Sequence, residues 1–141
     1  MNRSFKSMLG VTLLEIMLVL AIAAMVIVMS IRYYQSASMN QKINATLNNI
    51  TGIVAAGESY LAATGTLAGL TAANLTPYLP GGAMPFSGWG GAMSITAGGA
   101  NSYTINIPSV PGTACTQLLS LVNQNTKLVM APACATILVT E

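Results

Sequence analysis

From Ile16 to Met29 the chain reads IMLVLAIAAMVIVM, without a polar or charged residue, a Gly or a Pro. With Val11–Leu14 before it and Ser30-Ile31 after it, the apolar segment is about 21 residues long. At about 1.5 Å of rise per helical residue it measures roughly 31 Å, which matches a hydrocarbon core of about 30 Å. Glu15 alone interrupts it, one turn from its start. A carboxylate at that depth is costly in lipid and marks function, and its natural partner is a positive charge held at the same level.

Three readings of this stretch compete. A secretory signal peptide would use Arg3 and Lys6 as its basic end, with small-residue cleavage points after Ala21-Ile22-Ala23 or around Ser36-Ala37-Ser38. The run is longer than the usual apolar region of such peptides, and an acid at its start is unhelpful. An ordinary membrane anchor accounts for the length but for neither Glu15 nor Gly10. The third reading is a helix that leaves the membrane to pack against copies of itself, with Glu15 neutralised by a neighbouring subunit's N-terminal amine.

Gly10-Val11-Thr12-Leu13-Leu14-Glu15 resembles the processing motif of type IV prepilins and pseudopilins. The resemblance implies that a membrane peptidase cuts between Gly10 and Val11 and that Val11 becomes the N-methylated first residue. Glu15 is then the fifth residue of the mature chain. The commonest pilins carry Phe where Val11 stands; another first residue is more similar to the type IVb branch, as in toxin-coregulated and conjugative thin pilins. The implied fold is α+β, a long N-terminal helix packed against a small antiparallel sheet. The implied partners are identical subunits in a helical filament, the prepilin peptidase and methyltransferase, and an inner-membrane assembly platform. A single-pass inner-membrane precursor with a periplasmic head would become an extracellular pilus.

Charge supports an assembling chain. Charged residues make up only 6% of the sequence, against about 25% in soluble domains. Removing residues 1–10 takes away Arg3 and Lys6, leaving Arg32, Lys42 and Lys127 against Glu15, Glu58 and Glu141. Such a neutral surface has no electrostatic footprint for nucleic acid, and it suits tight lateral packing of identical subunits.

In chain order, residues 1–10 form a short basic leader that the positive-inside tendency keeps in the cytoplasm. Residues 11–32 form the membrane-spanning and assembly half of the helix. Arg32, Tyr33 and Tyr34 then mark the interface, the arginine by snorkelling and the tyrosines as an aromatic belt. No Pro occurs before Pro77, so residues 33–64 continue the helix in amphipathic form. Met39, Ile43, Leu47, Ile50, Val54 and Leu61 make its apolar stripe, and Gly65 its stop. Gly52 and Gly57 each weaken the helix by roughly 1 kcal/mol relative to Ala.

Residues 65–141 are expected to form a β-rich head. Leu75–Leu79 reads as a short helix or turn, and the Gly-Gly-Ala triplets at 81–83, 90–92 and 98–100 as turns between short strands. Trp89 reads as a loop aromatic that covers the core, with a sugar-stacking platform as the alternative. Met93 and Ile95 alternate with polar residues, as do Tyr103, Ile105 and Ile107, which predicts a hairpin about Gly98-Gly99-Ala100-Asn101. Cys115–Asn123 reads as an amphipathic helix with Leu118, Leu119 and Val122 inward. Leu128–Met130 and Thr136–Thr140 read as two further strands.

The two cysteines, Cys115 and Cys134, lie in a part expected outside the cytoplasm and therefore read as a disulfide. The bridge closes a loop of about 20 residues and contributes on the order of 3 kcal/mol in the chain-entropy model. Pilins commonly staple their C-terminal region this way, so the resemblance implies a structural bridge. No metal site or cofactor is expected, because there is no His and no second cysteine pair. Without Asp or His, and with Glu58 the lone acid between the anchor and Glu141, neither a carboxylate pair nor a base-activated nucleophile can be assembled. The Asn-x-Thr sequons at Asn44, Asn49 and Asn74 read as chance in an Asn- and Thr-rich chain. A non-enzymatic pilus subunit is the expectation; a pseudopilin, a minor or DNA-uptake pilin and a secreted soluble binding protein are the alternatives.

Overall fold

The computed structural model describes the backbone from residue 4 to residue 141 and side chains from Thr12 onward. One helix, α1, runs without a break over Ser4–Thr64. The absence of Pro lets it continue, and Gly65 at φ +77° stops it, with the Gly65 N–H donating to the Leu61 carbonyl at 2.7 Å. The chain divides into two compact units, Met1–Ser38 and Met39–Glu141. Described residues of the first unit are helical, and Thr12–Ala37 are all exposed.

In the second unit, the remainder of α1 lies with α2 (Ala72–Leu75), α3 (Gly112–Val122) and the strands β1 (Ser94–Gly99), β2 (Ser102–Asn106), β3 (Leu128–Met130) and β4 (Thr136–Thr140). The strands form one antiparallel four-stranded sheet in the order β1-β2-β4-β3. The fold is thus α+β, a long N-terminal helix against a small antiparallel sheet. Period-two alternation sends Tyr103, Ile105, Ile137, Val139, Leu128 and Met130 to the core side, all of them buried. The helix meets them with Ile43, Ile50, Ile53 and Ala56.

This seam differs from the expected stripe. Ile43 and Ile50 are buried, whereas Met39, Leu47, Val54 and Leu61 lie at the margins, only partly covered. The central line takes in Thr46 as well, fully buried although polar. Its hydroxyl donates to the Lys42 carbonyl at 2.8 Å and accepts from the Gly88 N–H at 2.9 Å, so both of its roles are filled.

Elsewhere the elements lie close to where the sequence puts them. Leu75–Leu79 is the end of α2, capped by Thr71, followed by a 3-10 turn at Thr76–Tyr78. The hairpin turn narrows to Ala100-Asn101, because β1 runs on through Gly98 and Gly99 with a bulge between Ala97 and Gly99. α3 starts at Gly112, three residues earlier than expected, and buries Ala114 in addition to Leu118 and Val122. Trp89 packs partly buried against the core.

Candidate functional site

The exposed half of α1 is the first candidate. Its described side chains from Leu13 to Ile31 are large, apolar and open to solvent at almost every position, and the helix is long and apolar enough to cross a membrane. A surface of this kind must be covered by lipid or protein. Glu15 stands on it, exposed, with no ion pair among the described residues. Gly10 and Val11, the expected cleavage and methylation positions, lie outside the residues whose side chains are described. Arg32, Tyr33 and Tyr34 follow the apolar run on the same helix, the two rings 79% and 74% exposed.

The cysteines are joined. Cys115 on α3 and Cys134, just ahead of β4, form a disulfide with a Cα–Cα distance of 5.5 Å. Cys134 is buried and sits at φ +55°, and its N–H donates to the Ala131 carbonyl, which closes a tight turn before β4. The bridge therefore ties the start of α3 to the β3–β4 connection.

A third feature was not foreseen from sequence. Lys127 Nζ lies 3.0 Å from Glu58 Oε1 on α1 and 2.7 Å from Glu141 Oε2. One cation thus gathers both acids of the second compact unit, Met39–Glu141. The hydrogen bonds that the Lys127 ammonium donates to Glu141 and then to Glu58 hold its pKa above the usual range. Beneath this cluster, the Tyr103 hydroxyl is buried with no hydrogen-bond partner among the described residues, as is Glu141 Oε1. Burial, with the negative charges of Glu141 and Glu58 adding to it, pushes the tyrosine pKa well above the normal value. The signal available in the sequence was slight: with charges so scarce, two acids and a lysine had few partners but each other.

Among the described residues no group of three His, Cys, Asp or Glu side chains is placed to hold a metal ion. Comparison of the chain with protein-family models, with curated proteins and with solved structures returns no match.

Proposed function

We propose that this chain is the structural subunit of a type IV pilus of the IVb kind. It is processed between Gly10 and Val11, N-methylated on Val11 and polymerised through its N-terminal helix. The observation that carries the reading is the exposed carboxylate of Glu15 within an otherwise apolar, exposed helical surface that continues unbroken into a disulfide-stapled head. A lone anchor gains nothing from that acid. A filament gains a register, because the charged amine of one Val11 meets the Glu15 carboxylate of a neighbour and offsets two charges that are costly in an apolar core.

On this reading residues 1–10 are the leader, 11–32 the assembly segment, 33–64 the amphipathic helix and 65–141 the head. The precursor waits in the inner membrane with its head in the periplasm, meets the peptidase and the assembly platform there, and ends outside the cell as a fibre. The protein is a building block and a peptidase substrate, with no chemistry of its own.

Intact mass and N-terminal sequencing of the mature protein, from membranes and from the sheared surface fraction, test this. A chain beginning at N-methylated Val11 and abundant in the sheared fraction is the expected result. The same terminus confined to membranes identifies a pseudopilin or minor pilin instead. A soluble chain starting near residue 24 or 39 overturns the reading.

A further inference from the structure

The two edges of the head's sheet are finished differently. In an antiparallel ladder, alternate residues direct both backbone groups to the same neighbour. The bonds from Ile107 N–H to the Ala135 carbonyl and from Glu141 N–H to the Asn101 carbonyl give the odd-numbered residues of β2 to β4, and so the even-numbered ones to β1. Through the register Ser94↔Asn106 and Thr96↔Thr104, the inward-bonded residues of β1 are Ser94 and Thr96. Ile95 and Ala97 therefore turn their N–H and C=O groups to the open edge.

At the opposite edge the same alternation turns Leu128 and Met130 outward, but their N–H groups donate to the Asn125 carbonyl at 3.1 Å and to Asn123 Oδ1 at 3.0 Å. The outward donors of that edge are satisfied from within. On the β1 side, the Met93 N–H is taken by the Pro85 carbonyl at 3.0 Å, and beyond it Ile95 and Ala97 have no backbone partner among the described residues. Ser94–Gly99 contains no charge and no proline, and the bulge between Ala97 and Gly99 is the one edge guard in this strand, beyond the stretch Ser94–Ala97. The core-side residues of β1 are also undercovered, Ile95 half-buried and Ala97 exposed.

We infer that the β1 edge is a docking surface for the β1 edge of a second copy of this chain. Antiparallel pairing with Thr96 opposite its twofold mate places Ile95 opposite Ala97 of the other copy. All the outward N–H and C=O groups of these two residues are then paired in both strands. The strand complements itself, and the second compact unit sets no net side-chain charge against the contact, because Lys42 and Lys127 balance Glu58 and Glu141. The β3 edge, whose outward N–H groups are already bonded, has no free donors to offer the same reciprocal pairing. This inference goes beyond the pilus reading and does not depend on it, since it concerns residues 93–99 of the head alone.

The register supplies its own test. In the central, non-hydrogen-bonded pair the Cα atoms of Thr96 and its mate would lie about 4.5 Å apart, within the range of about 4.4–6.8 Å that a disulfide spans. The full chain carrying Thr96→Cys, in detergent micelles under mild oxidation, should give about tenfold more disulfide-linked dimer than Val129→Cys, on the β3 edge. Peptide mapping should find residue 96 on both sides of the link. Adding Ala97→Pro removes one outward N–H at a position where an edge strand accepts proline, and Ala97→Lys places a charge on the edge. Either should lower the linkage to the Val129→Cys level while circular dichroism and the Cys115–Cys134 bond stay intact. If Ala97→Pro disturbs the fold, Ala97→Lys decides. Equal linkage from Thr96→Cys and Val129→Cys, linkage untouched by the folded blocking variant, or residue 96 joined to a different protein overturns the inference.

Discussion

A methyl group on Gly57 would come within 2.5 Å of the Tyr103 hydroxyl oxygen and 3.0 Å of its Cζ. The glycine lets the buried ring of β2 lie directly on the backbone of α1. Gly57→Ala should therefore lower stability, because overpacking costs about 1–3 kcal/mol and helix propensity returns only about 1 kcal/mol. At Gly52 a Cβ would meet nothing within 4 Å. Gly52→Ala should raise stability by about 0.5–1 kcal/mol. Denaturant midpoints of the two variants should move in opposite directions, and adding Tyr103→Phe to Gly57→Ala should recover part of the loss.

The unpartnered Tyr103 hydroxyl gives a second prediction. Tyr103→Phe removes a buried polar group that forms no hydrogen bond among the described residues, so at neutral pH it should be neutral or stabilising by up to about 1 kcal/mol. In the wild type the folded tyrosine pKa lies above the unfolded one. Its contribution is therefore complete below about pH 10, the unfolded value, and declines as pH rises above it. Lys127, also raised, loses its contribution in the same direction. Unfolding free energy should fall at alkaline pH, and the fall should be shallower in Tyr103→Phe.

Thr46 and Gly88 join the helix to the loop before β1. Thr46→Val leaves the Gly88 N–H without its acceptor and should cost about 1–3 kcal/mol. A Cβ on Gly88 would collide with the Lys42 carbonyl oxygen and Cα, backbone atoms that cannot rotate away. Gly88→Ala should be at least as damaging as Thr46→Val, and thermal unfolding of both against wild type checks the order.

Replacing Cys115 and Cys134 by Ser should cost about 3 kcal/mol in the chain-entropy model. Hydrogen exchange should accelerate most at Ala131 and Cys134, whose N–H groups hold the turn into β4. Equal protection with and without the bridge would mean that the β3–β4 connection is held by packing alone.

For assembly, Glu15→Ala should leave the head folded, because Glu15 lies in the other compact unit, yet reduce sheared filaments by an order of magnitude or more as the N-terminal amine loses its counter-charge. Filaments of wild-type yield and register would sink the charge-pairing mechanism.

The sequence was most legible where periodicity had one meaning. Leu128–Met130 and Thr136–Thr140 were read to the residue, because each is a short apolar run bounded by polar and Pro-containing turns. The start of α3 was missed because Pro111-Gly112 reads as a turn, whereas Pro111 occupies the N-cap position and the helix begins at the glycine. The α1 seam was displaced because Thr46 counts as polar in any hydropathy pattern. Its burial depends on a donor, the Gly88 N–H, 42 positions away. Gly57 could be read as a weak point in a helix but not as a seat for Tyr103, since that contact exists only once the sheet is in place. The lone carboxylate at Glu15 was visible at once, because in so apolar a run a single acid has no background to hide in.

The strand order carries a temporal consequence. β4, the last strand in the chain, lies between β2 and β3 and joins them. A chain emerging from its N-terminus therefore presents β1, β2 and β3 without the strip that unites them, and the inward faces of Tyr103, Ile105, Leu128 and Met130 wait for Ile137 and Val139. The β1–β2 hairpin can pair on its own, but until residues 136–140 have left the ribosome β3 has no partner in the sheet and the core face stays open.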